Sequence, residues 1–209
     1  MISVKARPTG QPHLAGMPKV PDASPKAFAK TQAAALQQLA AIQRGVIRFG
    51  ESLAKRSDDA LARRPAPQRW SALECLEHLN RYAAHYLPLL EDRAARAPER
   101  GDATFRAGLL GKPFARAMHV SGRAKPMRSP GKMNPLGDVL DRGVADAFVA
   151  FQRRYAAVVA ELEGRELRGS RIGVSAFPIV RLHLGDMLYT LVWHNERHVA
   201  QAREAIASS

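Results

Sequence analysis

The sequence predicts an all-α fold: a four-helix bundle with a long crossover connection between the second and third helices. Three observations carry this. Four segments repeat apolar residues at intervals of three and four. No segment shows a convincing strand pattern or internal repeat. The connection between the second and third segments is about 40 residues, longer than an up-and-down hairpin needs and enough to run the length of a bundle. The crossover makes the second and third helices parallel, and the short connections make helices one and two, and three and four, antiparallel neighbours.

Residues 1–26 contain Pro8, Pro12, Pro18, Pro21 and Pro25. That spacing blocks helix and strand alike, so this stretch is expected to be a basic N-terminal tail. The bundle is expected over residues 27–209. The first helix is expected over residues 26–61, on Leu36, Leu39, Ile42, Val46, Phe49 and Leu53, before "RRPAPQRW" breaks the pattern. The second begins at "WSALE", where Ser71 and Glu74 have the spacing of a capping box. Its apolar positions include Leu73, Leu76, Leu79, Tyr82, Tyr86 and Leu90. Residues 98–137 form a basic, glycine- and proline-rich insert. The third helix is expected over residues 139–162, and the fourth over residues 179–206.

The 209 residues carry 32 Lys and Arg against 19 Asp and Glu, a net charge of +13. Much of the excess lies in the tail and the insert; between Asp102 and Asp138 there is no acidic residue. An anionic small molecule is therefore an expected partner, with nucleic acid as the alternative. The insert has only Phe105 and Phe114 as aromatics and no groove-reading motif, which weighs against nucleic acid. The single cysteine, Cys75, forbids an internal disulfide. Together with the lack of an apolar leader, this suits a cytoplasmic protein. No apolar run approaches the ~18 residues of a membrane span, so no membrane partner is expected. A homodimer through helix faces fits such a bundle.

The chemistry is concentrated in the histidines. His194 and His198 lie four residues apart, ~6 Å along one helix face, close enough to share a ligand. The spacing alone is a weak signal. His78 falls on the second helix and completes a three-histidine set. His183 is ~16 Å along the axis from His194 and cannot join it, and His85 lies on the His78 stripe but ~10 Å further on, so only one of those two can be a ligand. His13 and His119 fall in irregular segments. Three neutral imidazoles suit a divalent ion such as Zn, Ni or Fe and leave open positions for water or substrate. The competing reading is a set of buried histidines bonded to one another. Metal content would fall as pH drops through ~6.5, where free imidazole takes up a proton.

Neighbouring residues have plainer roles. Glu74 is read as a cap rather than a general base. Glu196 points away from the histidine pair and is read as solvated. Cys75 is read as a small buried hydrophobe rather than a fourth ligand. Gln201 is placed to bond His198. Trp70 and Trp193 are read as packing.

The segments "RWSALECLEHLNRYAAHYLPLL" and "LGDMLYTLVWHNERHVAQ" resemble the DinB-like superfamily. The matching positions are Trp70, Ser71, Glu74, His78 and Leu79, then His194, His198 and Gln201. The likeness covers roughly residues 30–207. It implies a bundle holding a divalent metal through His78, His194 and His198, and a metal-dependent enzyme, either a hydrolase or a thiol-dependent transferase. The tail and the basic insert lie outside that pattern, so they leave the substrate open. The alternative is a non-catalytic bundle that holds nucleic acid or another polyanion through its basic segments.

Overall fold

The computed structural model describes residues 27–100, 103–121 and 130–208. The tail expected over residues 1–26 lies outside them. The helices are α1 (Gln32–Ser52), α2 (Asp58–Ala62), α3 (Ala72–Ala95), α4 (Gly111–Met118), α5 (Gly143–Glu161) and α6 (Leu184–Ala207); strands β1 (Arg171–Val174) and β2 (Phe177–His183) precede α6. The four long helices α1, α3, α5 and α6 form the expected bundle.

Cross-helix contacts fix their directions. Asn80 Nδ2 donates to the Val144 carbonyl and Arg154 donates to Glu91, so α3 and α5 run parallel, as the crossover requires. His78 meets His198 while Tyr82 meets His194, which makes α3 and α6 antiparallel. Tyr189 donates to Gln38, and Arg203 lies over Phe49, so α1 and α6 are parallel. The expected neighbours are corrected: α1 packs mainly on α5 and α6, and α3 on the same two helices. The helices joined by short connections therefore lie diagonally. Closely spaced parallel helices need the crossover between them, and this leaves the sequence-adjacent pairs on the diagonals.

Large side chains fill the centre. Trp193, Tyr155, Phe49 and Phe148 are fully buried. One polar knot interrupts them: Gln43 and Asn195 both donate to the Gln152 side chain, tying α1, α5 and α6 together.

Helix ends differ from the sequence reading for identifiable reasons. The first apolar run splits after Leu53, because Ser57 caps a new helix by accepting from the Ala60 N–H, with Asp58 and Asp59 in its first turn. The third helix starts at Gly143 rather than 139; Val139 is exposed, and Asp141 accepts from the Gly143 N–H at 2.8 Å. Residues 177–183 are strand rather than the start of the last helix. Ile172 and Leu182 pair across the hairpin and face inward, while Ile179 and Arg181 face out. That period of two was hidden inside a longer apolar run. The insert also contains α4, which packs against α6.

The α3 start is as read. Ser71 Oγ accepts from the Glu74 N–H at 3.2 Å and Glu74 accepts from the Ser71 N–H at 2.8 Å. Ser71→Ala should lower stability by about 0.5–2 kcal/mol in a urea titration, through loss of this cap. No change would mean the cap does not hold the helix.

At the start of α4 the chain approaches α6 closely. Asp186 is 1% exposed and accepts from the Gly108 N–H at 3.0 Å. A Cβ on Gly111 would lie 2.2 Å from Asp186 Cγ. Gly111→Ala gains ~1 kcal/mol of helix propensity, yet must displace a buried, hydrogen-bonded carboxylate. We expect a net destabilisation of about 1–3 kcal/mol, read as a lowered urea midpoint; an unchanged or raised midpoint would refute the close approach.

Candidate metal centre

His78 lies nearly two turns beyond the Ser71 cap, on the face of α3 that meets α6. The cap that fixes its register is itself anchored. The Glu74 carboxylate accepts from Arg64 Nε at 2.9 Å, from the Ser71 N–H, and from the Gly137 N–H at 3.0 Å. Gly137 has a φ of 94°, which only glycine adopts without strain. Burial acts to raise the Glu74 pKa, but these hydrogen bonds and the Arg64 charge outweigh it and the net shift is downward. Glu74 is thus a tied-down structural anion.

The same loop reaches the histidines. His78 Nδ1 lies 2.6 Å from the Met133 carbonyl oxygen. A carbonyl only accepts, so Nδ1 carries the proton and Nε2 presents its lone pair. His194 Nε2 lies 3.2 Å from His78 Nε2 and 3.1 Å from His198 Nε2. A single proton on His194 Nε2 satisfies one of these contacts and leaves the other unmatched. Nitrogens bound to one ion at ~2.0–2.1 Å stand roughly 2.9–3.4 Å apart. The donor set therefore fits a shared cation better than it fits a hydrogen-bonded cluster.

Electrostatics point the same way. Burial pushes His78 down to about 4, against the opposing pull of its Met133 bond. Burial also lowers His194 and His198 well below the ordinary range, with each histidine's neighbours adding to the effect. All three are neutral at pH 7, as ligands must be. Any acid-driven loss of metal from the folded chain moves below the ~6.5 expected from free imidazole.

His78 is 2% and His194 8% exposed, while His198 is partly open to solvent. Trp70 and Tyr82 flank the cluster: the Trp70 ring centroid is 4.7 Å from His78 and 5.6 Å from His198, and Tyr82 is 4.9 Å from both His78 and His194. Tyr82 stacks on Tyr86 at 6.1 Å, and Tyr86 Oη donates to Ser175 Oγ in the hairpin turn. Burial raises the Tyr82 hydroxyl pKa. Sequence reasoning counted Trp70 and Tyr82 as packing; the i,i+4 spacing of His78 and Tyr82 was the available signal. The Met133 carbonyl had none, because backbone groups leave no trace in composition.

The other candidates fall elsewhere. His85 is exposed and edges onto Tyr86. His183 immediately precedes α6, and its Nδ1 lies 2.5 Å from the Arg168 carbonyl rather than capping the helix. His119 is buried against Trp193, and His13 lies outside the described residues. Cys75 is buried and does not join the cluster; burial pushes its thiol up to about 12. Gln201 lies near enough to His198 to raise its proton affinity but not in hydrogen-bonding geometry, and His198 Nδ1 is without a partner. Glu196 is not solvated but 5% exposed, because α4 covers that side of α6 and Arg197 donates to the Ala117 carbonyl.

No curated protein and no solved structure matches the sequence. A family model described as the DinB superfamily matches residues 41–202, which span both histidine-bearing helices and the crossover between them. With that coverage and this bundle, the chain belongs to the DinB superfamily.

Proposed function

We propose that the chain is a metal-dependent enzyme, a hydrolase or a thiol-dependent transferase, with His78, His194 and His198 as ligands to a divalent ion. The observation that carries the reading is the convergence of three neutral imidazole nitrogens within 3.2 Å steps, one of them oriented by a backbone carbonyl. A bound divalent ion supplies acidification of a coordinated water or thiol and polarisation of an electrophile.

The chain's own residues narrow the chemistry. Met133 holds the His78 proton on Nδ1 and keeps Nε2 free. Glu74 is engaged by Arg64, Ser71 and Gly137, so it does not serve as a base. Cys75 stays protonated and apart, so a thiol nucleophile would come from a second substrate. Tyr82 keeps its proton at neutral pH and suits donation to a leaving group beside His78 and His194. The aromatic faces of Trp70 and Tyr82 fit a small substrate with an apolar body. The chain's positive balance favours an anionic one.

The test has two stages. Metal per chain is measured after purification and dialysis, before and after incubation with Zn²⁺ or Ni²⁺. The loaded protein is then offered electrophilic esters and epoxides with and without a low-molecular-weight thiol. Thiol-dependent turnover selects the transferase, thiol-independent turnover the hydrolase. Failure to hold metal under any loading condition refutes the reading.

A further inference from the structure

The outer face of the β1–β2 hairpin is unlike the rest of the surface. Its inner face, Ile172 and Leu182, is buried. On the outer face Phe177, Ile179 and Arg181 follow one another at the strand period of two. Ile179 is 96% exposed and Phe177 43%. Leu109, in the turn before α4, is 97% exposed. That turn lies beside the hairpin: a Cβ on Gly108 would meet His183 Cδ2 at 3.2 Å, and Phe114 contacts Phe177 at 5.6 Å between ring centroids.

Arginines border these apolar tips. Arg171 pairs with His183 across the hairpin, the Arg181 guanidinium reaches the Arg171 carbonyl at 3.4 Å, and the Arg168 carbonyl faces His183 Nδ1. All three arginines are exposed, and among the described residues none makes an ion pair, although Arg168 feels the buried Asp186 at longer range. Several arginines elsewhere are paired, as Arg154 is with Glu91 and Arg153 with Glu51.

Single exposed apolar side chains are ordinary, but aliphatic tips grouped inside unpaired arginines are not. Three occupants present themselves. A nucleic acid would use the arginines but gain little from Ile179 and Leu109, which have no aromatic face for a base to stack on. A second copy meeting through a two-fold axis would bring arginines against arginines. An anionic bilayer uses both features, taking aliphatic tips into the acyl boundary and guanidinium groups onto phosphates. We propose that this hairpin face, with the Leu109 turn, docks on an anionic lipid surface. No helix among the described residues is long and apolar enough to cross a membrane; surface docking requires none.

The experiment is co-sedimentation of the full chain with vesicles of phosphatidylcholine mixed with phosphatidylglycerol, and with phosphatidylcholine alone. Binding is expected only to the anionic vesicles and should weaken as salt rises. The Arg171→Ala/Arg181→Ala double variant should bind about 25-fold more weakly, about fivefold per arginine. Leu109→Ser/Ile179→Ser should lose ~tenfold or more through its apolar tips. These side chains are exposed, so circular dichroism and metal content should be unchanged. Single Ile179→Ser, with a smaller loss, serves if a double variant misfolds. The proposal is overturned if anionic vesicles are not bound, or if both lipid compositions bind equally. It is equally overturned if Leu109→Ser/Ile179→Ser binds vesicles as the parent does. Tighter binding to an oligonucleotide through the same arginines would assign the face to nucleic acid. A dimer that Leu109→Ser/Ile179→Ser splits would assign it to a second copy.

Discussion

Alanine at any one of His78, His194 or His198 should weaken metal binding by orders of magnitude, while alanine at His85 or His183 should leave it intact. The reason is reach and number. His194 Nε2 lies 3.2 and 3.1 Å from the other two Nε2 atoms, ligand atoms of all three lie within 4.8 Å of one another, and a divalent ion held by three imidazoles loses a third of its protein ligands with any substitution. Histidine positions distinguish this from a general effect of removing an imidazole. His85 is exposed and His183 is occupied at the head of α6, so neither substitution reaches the cluster. The measurement is metal per chain for the five variants after dialysis against a fixed free-ion concentration. Full occupancy in His78→Ala, or loss in His183→Ala, would remove the site. The alternative of a purely hydrogen-bonded histidine cluster predicts no stoichiometric metal in the parent protein, even after loading.

The bundle and the meeting of three histidines were legible because helix periodicity converts sequence spacing into direction. Ser71 and Glu74 set the register of α3 through a local exchange of hydrogen bonds, so His78 could be placed on a face. His194 and His198 needed only the pitch of one helix. What was not legible depends on contacts distant in sequence. Glu196 was read as solvated because its own helix says only that it points away from His194; the cover comes from α4, in an insert that composition made look irregular. The hairpin was absorbed into the last helix because Ile179, Val180 and Leu182 satisfy either period over so short a run. The diagonal placement of α1 against α3 follows from how four helices share a core, and connection length does not encode it. The Met133 carbonyl that orients His78 belongs to a loop whose path is set by Gly137 and Glu74.

The metal-free protein should lose stability on mild acidification, and the loss should trace to the same histidines. An imidazole in the unfolded chain takes a proton near pH 6.5. In the folded chain burial holds His78 down to about 4. Between those values the unfolded state binds more protons, so stability falls as pH falls through the window. Above ~6.5 neither state is protonated and the contribution is fully present. For His78 alone the loss is about 2 kcal/mol between pH 7.5 and pH 5. His194 and His198 are lowered by burial as well and act in the same direction. Two carboxylates bear on the result. Glu74 is lowered, so its contribution is lost only at more acidic pH than this window. Asp186 is raised by burial, and its earlier protonation in the folded state offsets part of the histidine loss. The measurement is the urea midpoint of chelator-treated protein at pH 7.5 and pH 5, for the parent and for His78→Gln. The parent midpoint should fall and the variant's should fall less, because one buried titrating ring is gone. A flat parent profile, or an equal fall in His78→Gln, would show that the cluster does not hold its imidazoles neutral against solvent, and with that the case for three free lone pairs at one point would fail.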